Sequence, residues 1–398
     1  MKEKLIIRNF GPIKSVELDL GRFNVLIGEQ ATGKSTVAKV LALCRDLTYI
    51  IENNPEEEQS FKTGLEYYGL HEAAQEGTYI HYDCFHYSFT IERFSSNEIE
   101  VFNNDSEDGV KTKVFYYHST LKHNSEDFRL LLKELEDLKA NSPGFVTLSQ
   151  AVLPLRVQNR ISTLMDSPFY LPSERGLQSI FSLGRSTIQN MSDLLFNQLA
   201  QIDLVARLFK KETLIEPLDI IYKNVDGKGY IRKKDEDRFF SLFNAASGYQ
   251  STIPVVLSVK NYSEPQVKGK TFIVDEPELN IFPNVQRRLV NYLADSCVNC
   301  GNPILLTTHS PYILTSLNNL AYAYSIGKRD KEKTAHVIDE RYWINPEDIS
   351  AYMLKSDGTY EDILDRETGL IKAEKIDQVS DELNEQFNAL INVEFEKK

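Results

Sequence analysis

Three observations predict an α/β fold built around a phosphate-binding loop. Gly28-Glu29-Gln30-Ala31-Thr32-Gly33-Lys34-Ser35 has the spacing G-x-x-x-x-G-K-[ST], between an apolar, β-prone run (Phe23 to Ile27) and a helical pattern from Thr36 to Tyr49. Thr271-Phe272-Ile273-Val274 reads as a buried strand ending in the acids Asp275 and Glu276. Pro303-Ile304-Leu305-Leu306-Thr307 reads as another, ending in Thr308, His309 and Ser310. Ligands of open α/β sheets bind outside the carboxyl ends of the strands, so three such ends describe one site.

Each end has its own chemistry. Gly28 and Gly33 let the backbone wrap a phosphate without Cβ clashes. The amides of Ala31, Thr32, Gly33, Lys34, Ser35 and Thr36 then point at the anion from the loop and the helix start. Lys34 would neutralise the β- and γ-phosphates and Ser35 would ligate Mg²⁺, so a nucleoside triphosphate is the expected ligand. Asp275 fits the Mg²⁺-holding acid, and Glu276 is placed to orient or deprotonate a water. His309 lies beside these acids if its strand neighbours theirs.

The chain has 398 residues, 41% hydrophobic and 26% charged, enough for a large core with two or three lobes. Met1 to Leu5 holds no apolar signal core, and no run approaches the ~18 apolar residues of a membrane span, so a cytoplasmic protein without membrane contact is expected. A net charge of −13 argues against a surface that coats nucleic acid. The small basic clusters at Arg207, Lys210, Lys211 and at Arg232 to Lys234 read as solvated faces. Cys44, Cys84, Cys297 and Cys300 are too scattered for a disulfide framework, and the single C-x-x-C at 297–300 reads as two incidental thiols.

In chain order, Lys4 to Arg8 and Ile13 to Leu20 alternate as strands around the turn Asn9 to Pro12. Glu56 to Glu58 is an acidic surface run. Short aromatic and β-branched segments from Thr78 to Tyr117 suggest a small antiparallel sheet. Asp127 to Ala140, 148–165 and 187–209 carry helical patterns, and Phe169 to Leu171 between them is strand-like. Ile220 to Val225 and Tyr230 to Arg232 flank the hairpin signal Asp226-Gly227-Lys228-Gly229. Ser247-Gly248 precedes an apolar helical run, Ile253 to Val259, and offers a helix N-terminus to an anion. Tyr322 to Gly327 and Thr334 to Val337 read as late strands, Asn345-Pro346 opens a helix, and Lys372 to Ile391 carries a terminal apolar stripe.

The ordered set resembles the ABC-type ATPase heads of the structural-maintenance-of-chromosomes (SMC), RecF and overcoming-lysogenisation-defect (OLD) group. The positions that carry it are Asn9 to Ile13, the P-loop, Ser247-Gly248 with Gln250, the D-E-P-E-L-N-x-F-P run from Asp275 to Pro283, and Thr308 to Ser310. Tyr170 to Arg175 is similar to that group's Y-[IL]-P-x-x-R element. The resemblance implies an ABC-type head with an antiparallel β subdomain and an inserted helical subdomain. Its expected divisions are an ATPase lobe (1–120), a helical insertion (121–215), a second ATPase lobe (216–330) and a C-terminal helical extension (331–398).

It also implies ATP with Mg²⁺, bound between two heads. Ser247, Gly248 and Gln250 of one subunit would reach the γ-phosphate held by the other. Glu276 would be the general base and His309 the γ-phosphate sensor, with Glu278 to Asn280 crossing the interface. The chain departs from the pattern at Tyr249, where transporters have a second glycine. No glutamine marks a Q-loop, and Glu174 and Arg175 stand in that place. No Asp-x-Asp nuclease array follows His309. The chain is most similar to stand-alone bacterial ATPases such as those of Septu-type anti-phage systems, whose effector, often a nuclease, is a separate protein. A RecF-like repair ATPase that engages DNA is the alternative. A P-loop kinase would leave His309 and Ser247 without roles.

Overall fold

The computed structural model describes residues 3–46, 64–101, 110–141, 167–178, 193–263, 270–372 and 385–388. Strands β1 (Glu3–Phe10) and β2 (Ile13–Leu20) pair antiparallel, with Leu5 opposite Leu18 and Ile7 opposite Val16. Their period-two apolar residues are fully buried, as half-buried strands require. Strand β3 (Phe23–Gly28) leads through the phosphate loop into the helix Lys34–Arg45. Then β4 (Ala74–Asp83), β5 (Tyr87–Val101) and β6 (Val110–His123) extend the first pair into one sheet, ordered β2-β1-β4-β5-β6. The aromatic segments expected as a small antiparallel sheet are antiparallel and continue the N-terminal pair.

The helix Glu126–Asn141 and strand β7 (Ser167–Leu171) follow, then the helix Asp193–Leu208. A four-stranded antiparallel sheet comes next, from β8 (Thr213–Ile215), β9 (Ile220–Val225), β10 (Lys228–Lys233) and β11 (Phe240–Ser241). Asp226 (φ 50°) and Gly227 (φ 80°) make the tight β9–β10 turn, both in the left-handed region that such two-residue hairpin loops demand. The helix Ser247–Tyr262, β12 (Lys270–Asp275), the helix Pro283–Leu293, β13 (Ile304–Thr308), the helices Pro311–Gly327 and Lys331–Val337, β14 (Ile349–Leu354) and β15 (Tyr360–Asp362) complete the described chain.

The central sheet is ordered β15-β14-β3-β13-β12-β7 and is parallel except at β15. It is buried on both faces, as parallel sheets are. Phe23, Val25 and Ile27 of β3, with Phe272 and Val274 of β12, enter one core; Leu26 and Ile273 enter the other. The P-loop helix packs in the second of these, against the N-terminal antiparallel sheet, through Val37, Val40 and Leu41. The helix Ser247–Tyr262 packs in the first through Ile253, Val256 and Leu257. The two helices therefore cover opposite faces of the central sheet. Buried Arg45 ends the P-loop helix and ties it outward, donating to Tyr82 (3.1 Å), Thr271 and Glu3.

Several expectations are corrected. Tyr322 to Gly327 and Thr334 to Val337 are helical. Ser310 caps the first of these helices, its hydroxyl accepting from Tyr312 N, and Pro311 takes the first position, where a missing N–H costs nothing. The buried stripe Ile313, Leu314, Leu317, Leu320 and Ala321 then carries the helix through the tyrosines. Asn345 does cap, but only a three-residue turn, Pro346–Asp348. Pairing of Ile349 to Leu354 with β3 overrides a longer helix. The segment 331–398 is therefore not wholly helical, because it supplies β14 and β15. The segment 121–215 holds the last residues of β6, all of β7, a strand of the central sheet, and β8. The P-loop helix ends at Arg45, before Tyr49. Residues 148–165, Glu56 to Glu58 and most of Lys372 to Ile391 fall outside the described residues. In the C-x-x-C pair, Cys297 is buried and Cys300 exposed. Among the described residues no helix is long and apolar enough to cross a membrane.

Asn24 fixes the entry to β3. Its Oδ1 accepts from Gly21 N (2.8 Å), and its amide donates to Gly21 O (3.0 Å) and Ile304 O (3.1 Å) on β13. Asn24→Ala leaves these buried groups without partners and should cost about 2 kcal/mol. A lowered denaturant midpoint checks this; an unchanged midpoint would show the contacts to be dispensable.

Candidate active site

Five parallel strands present their carboxyl ends along one edge: β14 at Leu354, β3 at Gly28, β13 at Thr308, β12 at Asp275 and β7 at Leu171. β13 lies between β3 and β12, with Thr308 beside Ile27 and Thr307 beside Asp275. The P-loop, the acids and the histidine are brought together as the motifs predict.

In the phosphate loop, Ala31 (φ 61°) and Gly33 (φ 94°) are left-handed, turning successive amides inward. A Cβ on Gly28 would meet Leu354 O at 2.4 Å, so β14 closes against the loop where only glycine fits. Thr32 Oγ1 donates to Glu29 O (2.9 Å). Lys34 Nζ donates to the carbonyls of Gly28 (2.9 Å) and Glu29 (2.7 Å). An ammonium has three donors, so one remains for a phosphate oxygen. Burial lowers the Lys34 pKa, opposed by the nearby charges of Glu276, Asp275 and Glu278. Ser35 is exposed and Thr36 half-buried at the start of the helix.

Asp275 is buried, and both its oxygens are oriented. Tyr170 donates its hydroxyl to Oδ2 (2.8 Å), and Thr307 donates to Oδ1. Each carboxylate oxygen keeps a further lone pair. The Ser35 hydroxyl and this carboxylate are oxygen donors of the kind Mg²⁺ takes, and the hydroxyls behind Asp275 are contacts of the kind that aim such a ligand. The residues fit the ion. Burial and the Asp275 carboxylate raise the Tyr170 pKa well above the usual phenol value, so it remains a donor.

Glu276 leaves the strand in a left-handed conformation (φ 47°), a cost for a residue with a Cβ. Its N–H donates to Thr307 O (3.0 Å), and its carboxylate meets His309 Nε2 at 3.3 Å. His309 is held from behind. Glu278 Oε1 accepts from His309 N (2.7 Å) and from Thr308 Oγ1 (2.8 Å), while Ser310 Oγ donates to Gln286 (2.6 Å). Both imidazole and carboxylate stay partly exposed, open to a water and a phosphate.

Arg175 is fully buried. It donates to Pro172 O (3.0 Å), Asp275 O (2.5 Å), Glu276 O (2.8 Å) and Ser251 O (2.8 Å). Burial lowers its pKa to about 10, which leaves it charged at neutral pH. Its donors are thus directed at carbonyls, and exposed Glu174 accepts from Ser173 Oγ (3.1 Å).

Ser247 and Gly248 open the helix Ser247–Tyr262, with no side-chain cap. A Cβ on Gly248 would meet Asn280 O at 2.5 Å, so glycine permits the turn after the acids to lie against this helix. Ser251 Oγ donates to Leu279 O (2.8 Å) from the next turn. Gln250, expected at the nucleotide of a second copy, directs its amide at Leu242 O, Phe243 O and Ala245 O. That side chain locks the turn preceding the helix. Ser247 lines a cavity of about 370 Å³ with Ser173, Leu177, Phe243, Leu279 and Asn280, and no P-loop residue lines it. Sequence reasoning assigned no role to Tyr170, Thr307 or Gln286. Tyr170 stood only as the first residue of the Y-[IL]-P-x-x-R element, Thr307 as a polar residue at the end of an apolar run, and Gln286 carried no signal.

Lys34→Ala removes a charged phosphate contact and should weaken ATP binding roughly ten- to a hundredfold. Titration calorimetry checks this, and unchanged affinity would take Lys34 out of the site.

A family model described as AAA ATPase domain matches residues 1–314. Among solved structures, an SMC head domain from Thermotoga maritima is 13% identical with a TM-score of 0.34, over 79% of this chain and 92% of that one. An SMC head bound to the C-terminal winged-helix domain of ScpA is 11% identical with a TM-score of 0.38, over 93% of this chain and 99% of that one. An SMC head with an extended coiled coil, bound to the C-terminal domain of ScpA and derived from Pyrococcus furiosus, is 8% identical with a TM-score of 0.38, over 96% and 98%. No curated protein sequence matches. The family model spans most of the chain and includes the P-loop, both acids and His309; the chain belongs to the AAA ATPase domain family and is an ATPase.

Proposed function

We propose that this ATPase is a switch in which two copies close head to head over two ATP molecules. The closed and open states regulate a separately encoded effector, with a nuclease as the class the family resemblance suggests. The setting we propose is the cytoplasm of a bacterium defending itself against phage.

One observation carries the head-to-head reading. The P-loop helix and the helix opened by Ser247 cover opposite faces of the central sheet, and the cavity beside Ser247 excludes the P-loop of its own chain. An exposed Ser-Gly helix start, set apart from its own phosphate loop, gains a phosphate to bind when a second copy supplies one. In each site Lys34 and the loop amides hold the triphosphate. Mg²⁺ held by Ser35 and Asp275 would neutralise charge on the phosphate oxygens. Glu276 accepts a proton from water as that oxygen attacks the γ-phosphorus, and ADP leaves. His309, in contact with Glu276, reports whether the γ-phosphate is present. Binding then favours the closed pair, and hydrolysis removes the bridge.

Glu276→Gln should keep ATP and accumulate as a dimer in light scattering; hydrolysis at the wild-type rate would remove Glu276 as the base. Ser247→Arg should bind ATP as a monomer and lose hydrolysis. A Ser247→Arg protein with unchanged ATPase would contradict the composite site.

A further inference from the structure

We propose that Arg175 is a positioning residue for Glu276, fixing the base and tying it to the helix opened by Ser247. Three elements meet on its guanidinium: the end of β7 through Pro172 O, the tip of β12 through Asp275 O and Glu276 O, and the helix Ser247–Tyr262 through Ser251 O. The donor geometry is a rigid planar fork, which a lysine ammonium does not reproduce. These acceptors are all main-chain carbonyls, so the group acts on backbone path rather than as a counter-ion.

That path is where Glu276 needs support. Its φ of 47° is a left-handed conformation that an L-residue keeps only when its surroundings impose it. Thr307 holds the Glu276 N–H from one side, and Arg175 holds the Glu276 carbonyl from the other. With both ends of the residue fixed, the carboxylate stays within 3.3 Å of His309. Release of the carbonyl lets the residue relax towards a right-handed φ, which swings the carboxylate away from the attacking water.

The fourth bond gives the arrangement a second consequence, which rests on the head-to-head reading above. Ser251 lies one turn beyond Ser247 on the same helix, and its hydroxyl also grips Leu279 O. The helix that would meet a second copy's γ-phosphate thus shares one guanidinium with the base of its own copy's site. Seating of Ser247 on the partner's nucleotide is passed to Glu276 through Arg175, so the two ATP sites of a closed pair fire together.

The test compares Arg175→Lys and Arg175→Gln with the wild type in the full chain. Both should lower kcat roughly ten- to a hundredfold while leaving KM and ATP affinity within about twofold, as expected when a reacting group is misplaced and substrate binding stays intact. In a Glu276→Gln background, Arg175→Lys should cause no further drop in single-turnover rate, and the wild-type Hill coefficient for ATP should fall to one in Arg175→Lys. A wild-type kcat, a raised KM with kcat unchanged, or a full additional drop in the Glu276→Gln background would overturn the positioning role. Loss of folded protein in both variants would assign Arg175 to the fold alone and overturn it as well. Failure of the head-to-head reading looks different: wild-type protein stays monomeric with ATP and its Hill coefficient is one, while the kcat effect at Arg175 persists.

Discussion

The placement of β13 between β3 and β12 is the constraint on which the site depends. A parallel sheet aligns the carboxyl ends of its strands, so the end of β13 lies between the strand that leads into the phosphate loop and the strand that carries the acids. Thr307 serves β12 by holding Asp275 through its hydroxyl and Glu276 through its carbonyl. Thr308 and His309 serve the turn beyond it, through Glu278. A one-residue slip of this strand would reverse the faces of Leu305 and Leu306 and remove every one of these contacts. Burial of the sheet on both faces makes that slip costly, so apolar packing far from the edge fixes polar geometry at the edge.

At that edge the chain holds an unfavourable conformation against its own preference. A left-handed Glu276 costs on the order of 1 kcal/mol or more. The compensation comes from main-chain hydrogen bonds rather than from the carboxylate, which is left for chemistry. The same division recurs at the phosphate loop. There Lys34 uses two donors on carbonyls of its own loop and keeps one, and Leu354 O closes against Gly28. At both places contacts to backbone carbonyls and amides hold the chain path, which leaves the Glu276 carboxylate and one Lys34 donor available to a substrate.

This division also explains what the sequence could reveal. Gly28 to Ser35, Asp275, Glu276 and His309 each follow an apolar strand directly, so local pattern and spacing place them. The hairpin at Asp226-Gly227 and the β1–β2 pair are equally local. Contacts that cross between elements leave no local trace. Arg175 reaches Asp275 across 100 residues and Tyr170 reaches it across 105, and nothing near either residue announces the partner. The tyrosine-rich stretch before Gly327 misleads for a related reason. Tyrosine favours strands in general, but a helix begun at Ser310 and Pro311 and buried along one stripe continues through it. Gln250 sits at a motif position, yet three nearby carbonyls take its amide.

If two copies close head to head as proposed, charge limits how they can meet. Each copy carries −13 and ATP adds more negative charge, so long-range attraction cannot bring the copies together. At physiological salt that repulsion is screened beyond about 8 Å, and closure is decided by contacts at the nucleotide itself. Besides Mg²⁺ and the phosphate loop, the positive groups that would flank it are Lys34 in one copy and the start of the Ser247 helix in the other, whose dipole places roughly half a positive charge at its N-terminus. A γ-phosphate between them is attracted from both sides. ADP lacks the phosphate that reaches the second copy, so the same surfaces then meet with their repulsion uncompensated. In the proposed switch an acidic chain would be suited to this role: two copies would rest apart, and the intact triphosphate would offset the repulsion.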